Sequence, residues 1–148
     1  MKYSVHVDIK RPRDEVIELF DNPDHLPKWQ PDLIELEPIA GIPGQPDSQV
    51  RLVYRLGKRE LEMIETVVER KLPERMAMRF EATGMTNHMV NRFEERGDVT
   101  RWYADNEFIG TGWMKLMTWF LPGAFRKESL KTMRRFKQFV EHDIHNDS

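Results

Sequence analysis

The stretch that decides the fold is residues 51–108, RLVYRLGKRELEMIETVVERKLPERMAMRFEATGMTNHMVNRFEERGDVTRWYADNEF. Four turn signals recur in it: LGKR at 56–59, LPER at 72–75, TGMT at 83–86 and RGDV at 96–99. Each turn signal lies between two runs of strand-like sequence, at the spacing typical of an antiparallel meander. The stretch therefore predicts five consecutive antiparallel strands.

Tight two-residue loops at these turns would fix which residues face each other across the strands. The predicted pairs are Tyr54–Leu61, Leu52–Met63, Val67–Phe80, Phe80–Met89, Met78–Asn91, Met89–Asn106 and Phe93–Trp102. Because a one-residue slip turns a whole strand over, the agreement of apolar residues across five strands favours one buried face. The predicted inward set is Leu52, Tyr54, Met63, Glu65, Met78, Phe80, Met89, Asn91, Trp102, Asn106 and Phe108.

The segment before this meander predicts one strand and two short helices. YSVHVDI at 3–9 alternates apolar and polar residues, which is typical of a half-buried strand. Pro12 suits the first position of a helix. In DNPDHLPKWQPDL at 21–33, three prolines surround Trp29 and restrict the backbone on both sides of it. We expect this rigid segment to hold the Trp29 ring in one position.

The segment after the meander changes to a helical period. Residues 112–123, GWMKLMTWFLPG, are almost wholly apolar, and an amphipathic helix follows from about 124 to 143. Its apolar arc comprises Phe125, Ser129, Thr132, Met133, Phe136, Phe139 and Val140. One apolar sheet face and one long amphipathic helix can cover each other by packing together. We interpret the basic residues opposite this arc as a solvated helix face.

Composition sets bounds on the function. The 148 residues predict a single domain, 1–148, whose residues from about 144 to 148 form a flexible tail. The net charge of −2 gives no reason to expect nucleic acid, and the absence of cysteine excludes disulfides. The five histidines are scattered, so we expect neither a metal nor a cofactor. An alternating N-terminus and the lack of any run near about 18 apolar residues predict a cytoplasmic protein.

Two stretches carry a resemblance to a known superfamily. IKRPRDEVIELFDNPDHLPKWQPDL at 9–33 and GDVTRWYADNEF at 97–108 resemble the START-like or SRPBCC superfamily. The resemblance implies an α+β helix-grip fold, with a curved antiparallel sheet of about seven strands wrapped around a long C-terminal helix and two short helices after strand 1. It also implies an apolar cavity between sheet and helix. Members include lipid-transfer domains, plant-metabolite binders, polyketide cyclases/dehydrases and chaperone activators, so the fold alone does not define the activity.

The predicted cavity defines the candidate site residues. We expect Trp29 to form a wall or cap at the rim, with plugging of the open sheet edge as the alternative. Methionines on the inward face predict an adaptable apolar surface, although a plain hydrophobic core would also use them. The ligand-binding candidates are Trp29, Tyr54, Met63, Glu65, Met78, Phe80, Asn87, Met89, Asn91, Trp102, Asn106, Phe108, Trp113, Met117 and Phe120.

Polar residues within the inward register are the candidates for chemistry. The predicted register places Glu65 opposite Ala82, and Ala82 opposite Asn87. Glu65 and Asn87 then lie two strands apart in one row, as groups that could orient a ligand. A buried carboxylate would have a raised pKa, which makes Glu65 the candidate for acid/base catalysis. The alternative is that these polar groups bond one another, ordered water or solvent.

Three functions remain open at this point. The first is binding of a small apolar or amphipathic molecule, such as a lipid, an isoprenoid or a polyketide. The second is a cyclase/dehydrase-like enzyme that uses Glu65, and the third is a chaperone-activator-type interaction module. We expect residues 112–123 to form a separate helix over the cavity entrance whose far side meets a second subunit, a membrane surface or the rim near Trp29. Alternatively, they are the first turns of the long helix, buried in the core.

Overall fold

The computed structural model describes residues 1–144 and contains seven strands and four helices in that range. Their order is β1 (Lys2–Ile9), α1 (Arg13–Phe20), α2 (Leu26–Trp29), β2 (Leu33–Ala40), β3 (Gln49–Leu56), β4 (Arg59–Lys71), β5 (Arg75–Ala82), β6 (Met85–Arg96), β7 (Val99–Gly110), α3 (Trp113–Phe120) and α4 (Pro122–Gln138). A 3-10 turn precedes α2, and a π-helical turn at Phe139–Asp143 extends α4. Apart from Ile144, the predicted tail lies outside the described residues.

All seven strands belong to one antiparallel sheet in the order β1-β7-β6-β5-β4-β3-β2. The last strand therefore pairs with the first, and the five strands of the meander follow in sequence, as adjacent hairpins favour. The predicted α+β helix-grip architecture, with a seven-stranded sheet and a long C-terminal helix, is confirmed.

Two of the four predicted hairpin registers are confirmed, and two are wrong by two residues. Leu52 pairs with Met63 as expected, but Phe80 pairs with Asn87 rather than Met89. The β5–β6 turn is Thr83-Gly84, one residue earlier than predicted, because Gly84 takes the left-handed conformation with φ +77°.

The error in the predicted β4–β5 register has two causes, and together they leave each residue on its predicted face of the sheet. The connection is three residues long, 72–74, where a two-residue loop was expected. A bulge between Val67 and Glu69 then shifts the register by one more residue, so Val67 pairs with Met78. In both hairpins the observed register differs from the predicted one by an even number of residues. The predicted inward set therefore still shares one face of the sheet.

The outer face of the sheet is charged. Arg51 forms ion pairs with Glu35 and Glu62, at 2.9 and 3.0 Å. Arg101 pairs with Asp8 across β7 and β1, at 2.7 Å. Pairs of this kind between solvated side chains contribute little to stability, so the core must come from the concave face.

The core of the protein is an aromatic cluster around Phe136 of α4. The Phe136 ring is fully buried, and its centroid lies 4.9 Å from that of Trp29 and 5.2 Å from that of Trp102. Phe20, at the end of α1, packs edge-on against the same ring at 6.0 Å. Val5, Val7 and Ile9 of β1 complete the cluster. The long helix is thereby held over the β1 side of the sheet.

Phe136 and Phe120 provide a matched test of this core. Phe136→Ala removes a ring that touches several other rings, so it should lower the free energy of unfolding by about 3–5 kcal/mol. Phe120→Ala removes the same group from a position that is 71% exposed, so it should change stability by about 0.5 kcal/mol or less. Urea denaturation of both variants measures the difference. Equal losses in the two variants would contradict this description of the core.

Candidate functional site

The concave face of the sheet has two unlike halves. On β1 and β7 its residues are buried under α4, as Val7, Trp102 and Ala104 show. On β3 to β6, and at the α3 end of β7, several inward residues are only half-buried: Tyr54, Leu61, Met63, Glu65, Met78, Phe80, Ala82, Met85, Met89 and Phe108. We call this set the open half of the concave face. It is apolar with few exceptions, and solvent reaches it.

Glu65 lies within the open half, on β4. Its neighbours across the strands are Val50 on β3 and Phe80 on β5, and the row continues to Asn87 and Phe108. Glu65 and Asn87 thus lie two strands apart in one row, as predicted, with Phe80 between them in place of Ala82. No residue from 1 to 144 forms a hydrogen bond or an ion pair with the Glu65 carboxyl group.

Burial raises the pKa of Glu65 to about 7. The cause is the removal of water from a carboxylate that has apolar neighbours and no compensating cation. A carboxyl group with this pKa exists in both protonation states near neutral pH. It can therefore donate or accept a proton, or a hydrogen bond, without a large penalty.

Tyr54 places a hydroxyl group in the same half of the face. It donates a hydrogen bond to the Gln30 side-chain oxygen at 2.6 Å, which ties β3 to the end of α2. Burial, followed by the charge of Glu65, raises the pKa of Tyr54. The phenol therefore stays protonated and keeps its hydrogen bond to Gln30, while its oxygen can still accept one.

The predicted polar residues Asn87 and Asn106 bond each other. The Asn87 amide donates to the Asn106 side-chain oxygen at 3.2 Å, and the Asn106 amide donates to the Ala104 carbonyl at 3.4 Å. Both side chains are buried. Of the two alternatives raised by the sequence, mutual bonding describes this pair.

Two buried donors next to Trp102 have no acceptor among residues 1–144. Asn91 accepts a hydrogen bond from the Trp102 indole at 2.9 Å, but its own amide nitrogen has no partner. The indole nitrogen of Trp29 is also without a partner. Unsatisfied buried donors are costly, so an acceptor oxygen at either position would stabilise the structure. Sequence reasoning missed these orphan donors, since no pattern encodes them.

The structure places Trp29 deeper than the sequence predicted. Its side chain is 5% exposed and packs against Phe20, Trp102 and Phe136. It belongs to the aromatic core and not to a rim, because its ring packs between Phe136 of α4 and Trp102 of β7. The prediction of a rim position for Trp29 is therefore wrong.

Within the predicted segment 112–123, residues 113–120 form the separate helix, and Pro122 and Gly123 begin α4. A break at Leu121, with φ −126° and ψ 45°, divides α3 from α4. Met117 is half-buried, but Trp113 and Phe120 are 68% and 71% exposed. Trp113 and Phe120 were expected on the cavity wall, and that prediction is wrong because their side chains point to solvent. The alternative that the segment is buried core is wrong.

Two surface grooves, of about 710 and 790 Å³, run along α4 outside the concave face. Charged residues such as Lys137 and Glu141 line the first, and Lys131 and Arg135 line the second. In the first groove Lys137 already pairs with Glu141. Because charged side chains line much of both grooves, the open half of the concave face, whose inward side chains are mostly apolar, remains the candidate site.

The part of the chain that the structure describes holds no group of three His, Asp or Glu side chains that could bind a metal ion. None of the helices in that part is long and apolar enough to cross a membrane. The site is therefore described by its apolar surface, Glu65 and Tyr54.

Comparison with known proteins agrees with this fold. Residues 1–141 match the family described as polyketide cyclase / dehydrase and lipid transport. The chain belongs to this family. No curated protein has a sequence that matches it. The suspected relation to SRPBCC-type proteins is thereby confirmed.

Several solved structures have the same fold as this family member. The ZhuI aromatase/cyclase from Streptomyces sp. R1128 is 14% identical with a TM-score of 0.80, covering 97% of this chain and 95% of its own. The protein TTHA0849 from Thermus thermophilus is 14% identical with a TM-score of 0.77, covering 95% and 97%. Norcoclaurine synthase from Thalictrum flavum is 15% identical with a TM-score of 0.71, covering 96% and 88%. At such identities the similarity shows the fold alone.

Glu65→Gln should alter how stability depends on pH. The pKa of the Glu65 carboxyl group is raised in the folded state, to about 7, but has its ordinary value in the unfolded state. As the pH rises from that ordinary pKa through about 7, the folded protein loses stability, because it must ionise a buried group. Glutamine cannot ionise, so the variant should gain about 2 kcal/mol relative to wild type between about pH 5 and pH 8. Chemical denaturation across this range measures the difference. Parallel stability profiles would contradict the raised pKa.

Proposed function

We propose that this protein binds a small amphipathic molecule, of the lipid, isoprenoid or polyketide kind, on the open half of the concave face. The observation that carries the proposal is the contrast between the two halves. Around Phe136 the inward residues are tightly covered, whereas Met78, Phe80 and their neighbours are apolar and uncovered. A concave apolar surface with few polar groups is typical of small-molecule sites.

The apolar body of the ligand would lie against two neighbouring strands, β5 and β6. Met78 and Met89 face each other across β5 and β6, and Phe80 lies further along β5. Methionine side chains are flexible and polarisable, so they fit apolar groups of varied shape. The aromatic ring offers a rigid surface against which a planar group can stack. This combination supports a ligand with a planar or chain-like apolar part.

The polar end of the ligand would meet Glu65 and Tyr54. A neutral Glu65 can donate a hydrogen bond to a carbonyl oxygen, and an ionised one can accept a hydrogen bond from a hydroxyl group. The site therefore suits an oxygen-bearing ligand better than a pure hydrocarbon. The family description, which names polyketide cyclases/dehydrases and lipid transport, supports the same ligand class. Norcoclaurine synthase, which shares the fold, was solved in complex with dopamine and hydroxybenzaldehyde.

A second candidate function is catalysis of the cyclase/dehydrase kind, with Glu65 as the proton carrier. The observation that favours it is the pKa of about 7 on a carboxyl group without an ion-pair partner among residues 1–144. Cyclisation and dehydration both require that a proton be removed from carbon or given to a leaving hydroxyl group. A carboxyl group that titrates near neutral pH suits that step.

Two tryptophan substitutions on one strand test the binding proposal. Ala82 lies on the inward face of β5, whereas Ala77 on the same strand points to the outer face. Ala82→Trp should fill the open half and weaken binding of the fluorescent probe aminoanthracene at least about tenfold, while Ala77→Trp should leave it unchanged. Equal affinities in both variants would show that the probe binds elsewhere.

Glu65→Gln separates binding from catalysis. Native mass spectrometry of wild type should reveal a co-purified small molecule, and the Ala82→Trp variant should lack it. If the protein only binds this molecule, Glu65→Gln should retain it within about a few-fold of the wild-type affinity, because glutamine keeps the size and polarity of the side chain. If the protein is an enzyme, conversion of the molecule should stop in Glu65→Gln while its binding persists.

A further inference from the structure

The outward side of α3 is the most exposed apolar surface of the described chain. Four large side chains on it are more than half exposed: Trp113 at 68%, Leu116 at 56%, Trp119 at 77% and Phe120 at 71%. On a helix of 3.6 residues per turn these four positions share an arc of about 120°. The side that packs towards the protein carries Met114, Met117 and Thr118, all half-buried. The helix therefore shows its larger apolar side chains to solvent.

Close backbone contacts hold α3 in this orientation. A Cβ atom at Gly110 would come within 2.7 Å of the Met114 backbone, so the end of β7 can approach α3 this closely only with glycine. The Thr111 amide donates to the Gly84 carbonyl at 2.9 Å, which ties the helix start to the β5–β6 turn. The outward exposure of the aromatic rings is thus a consequence of specific packing.

The charges next to this surface along the chain are mostly positive. Residues 109–127 contain Lys115, Arg126 and Lys127 and no acidic residue. Over 109–138 there are seven basic residues and one acidic residue, in a chain whose net charge is −2. Positive charge is therefore concentrated on the segment that also carries the exposed aromatic rings.

We propose that α3 and the start of α4 form a docking surface for a membrane that contains anionic phospholipid. Tryptophan, phenylalanine and leucine on one helix side, with adjacent lysine and arginine, are the features of a helix that lies in the membrane interface. The aromatic side chains enter the boundary between headgroups and acyl chains, and Lys115, Arg126 and Lys127 bind lipid phosphates. A helix of eight residues is too short to span a bilayer, so it lies on the surface.

A second copy of this chain fits the surface less well. A two-fold dimer through α3 would place the same patch on both sides of the interface. Lys115, Arg126 and Lys127 of each copy would then lie near those of the other, and Glu128 is the one carboxylate in residues 109–138 that could offset them. Anionic lipid supplies the missing negative charge, whereas a second copy adds positive charge.

Docking through α3 would bring the open half of the concave face towards the bilayer. The helix lies beside the β5–β6 turn, and the inward residues nearest that turn are Ala82 and Met85. A ligand could then pass between the lipid phase and the site over a short path. The docking surface itself rests on α3 and holds whether or not the open half binds a ligand.

Flotation with phosphatidylcholine vesicles, with and without phosphatidylglycerol, tests the proposal. Wild type should float with the phosphatidylglycerol vesicles, less with phosphatidylcholine alone, and less when salt is added. The Trp119→Ser/Phe120→Ser variant should partition at least about tenfold more weakly, since two inserted side chains are lost. Arg126→Gln/Lys127→Gln should weaken binding to the anionic vesicles only. Tryptophan emission of wild type should shift to shorter wavelength on binding.

Two control variants change equivalent groups elsewhere on the surface. Ile42→Ser removes an apolar side chain that is 73% exposed in the β2–β3 loop, and Lys58→Gln removes an exposed cation in the β3–β4 turn. Both should float as wild type does. Failure of wild type to bind anionic vesicles, or unchanged flotation of Trp119→Ser/Phe120→Ser, would overturn the proposal. A third result would also overturn it: sedimentation velocity shows that wild type is a dimer and that Trp119→Ser/Phe120→Ser is a monomer, while neither protein floats with vesicles.

Discussion

The packing of Phe136 against the rings of Phe20, Trp29, Trp102 and Phe139 determines where the long helix crosses the sheet. Ring pairs of this kind bury much apolar area and prefer edge-to-face geometry, so they define both position and angle. The cluster draws α1, α2 and α4 together over β1, β6 and β7. Because one short helix pair and one long helix cannot cover seven strands, the remaining strands keep an uncovered inner face.

That uncovered face has the properties of a site because of what the sequence places there. In the open half, the inward residues of β4 to β6 are methionine, phenylalanine, leucine and alanine, with Glu65 as the one carboxyl group among them. Burial without a cation raises its pKa to about 7. Glu65 lies in the middle of an accessible apolar surface, and its ionisation lowers the stability of the folded protein at neutral pH. Function explains such a residue more readily than packing does.

Much of the fold could be predicted from the sequence because side chains alternate between the two faces of a strand. A register error of two residues therefore leaves each side chain on its predicted face. The predicted cross-strand partners of Phe80 and Val67 are wrong by two residues, yet both side chains lie on the predicted face. The bulge near Val67 and the three-residue turn could not be predicted, because neither leaves a local signal. The depth of Trp29 depends on how α2 folds over the sheet, which is a tertiary property. The outward rings of α3 depend on the Gly110 contact with Met114.

Methionine methyl NMR tests the division of the concave face most directly. Met63, Met78 and Met89 lie in the open half, whereas Met76 and Met133 are buried, and all five can be observed in one spectrum of protein labelled at its methionine methyl groups. Titration with aminoanthracene should shift the first three resonances and leave the two buried ones nearly unchanged. Shifts confined to Met76 and Met133, or no shift at any of the five at saturating probe, would contradict an open apolar site on this face.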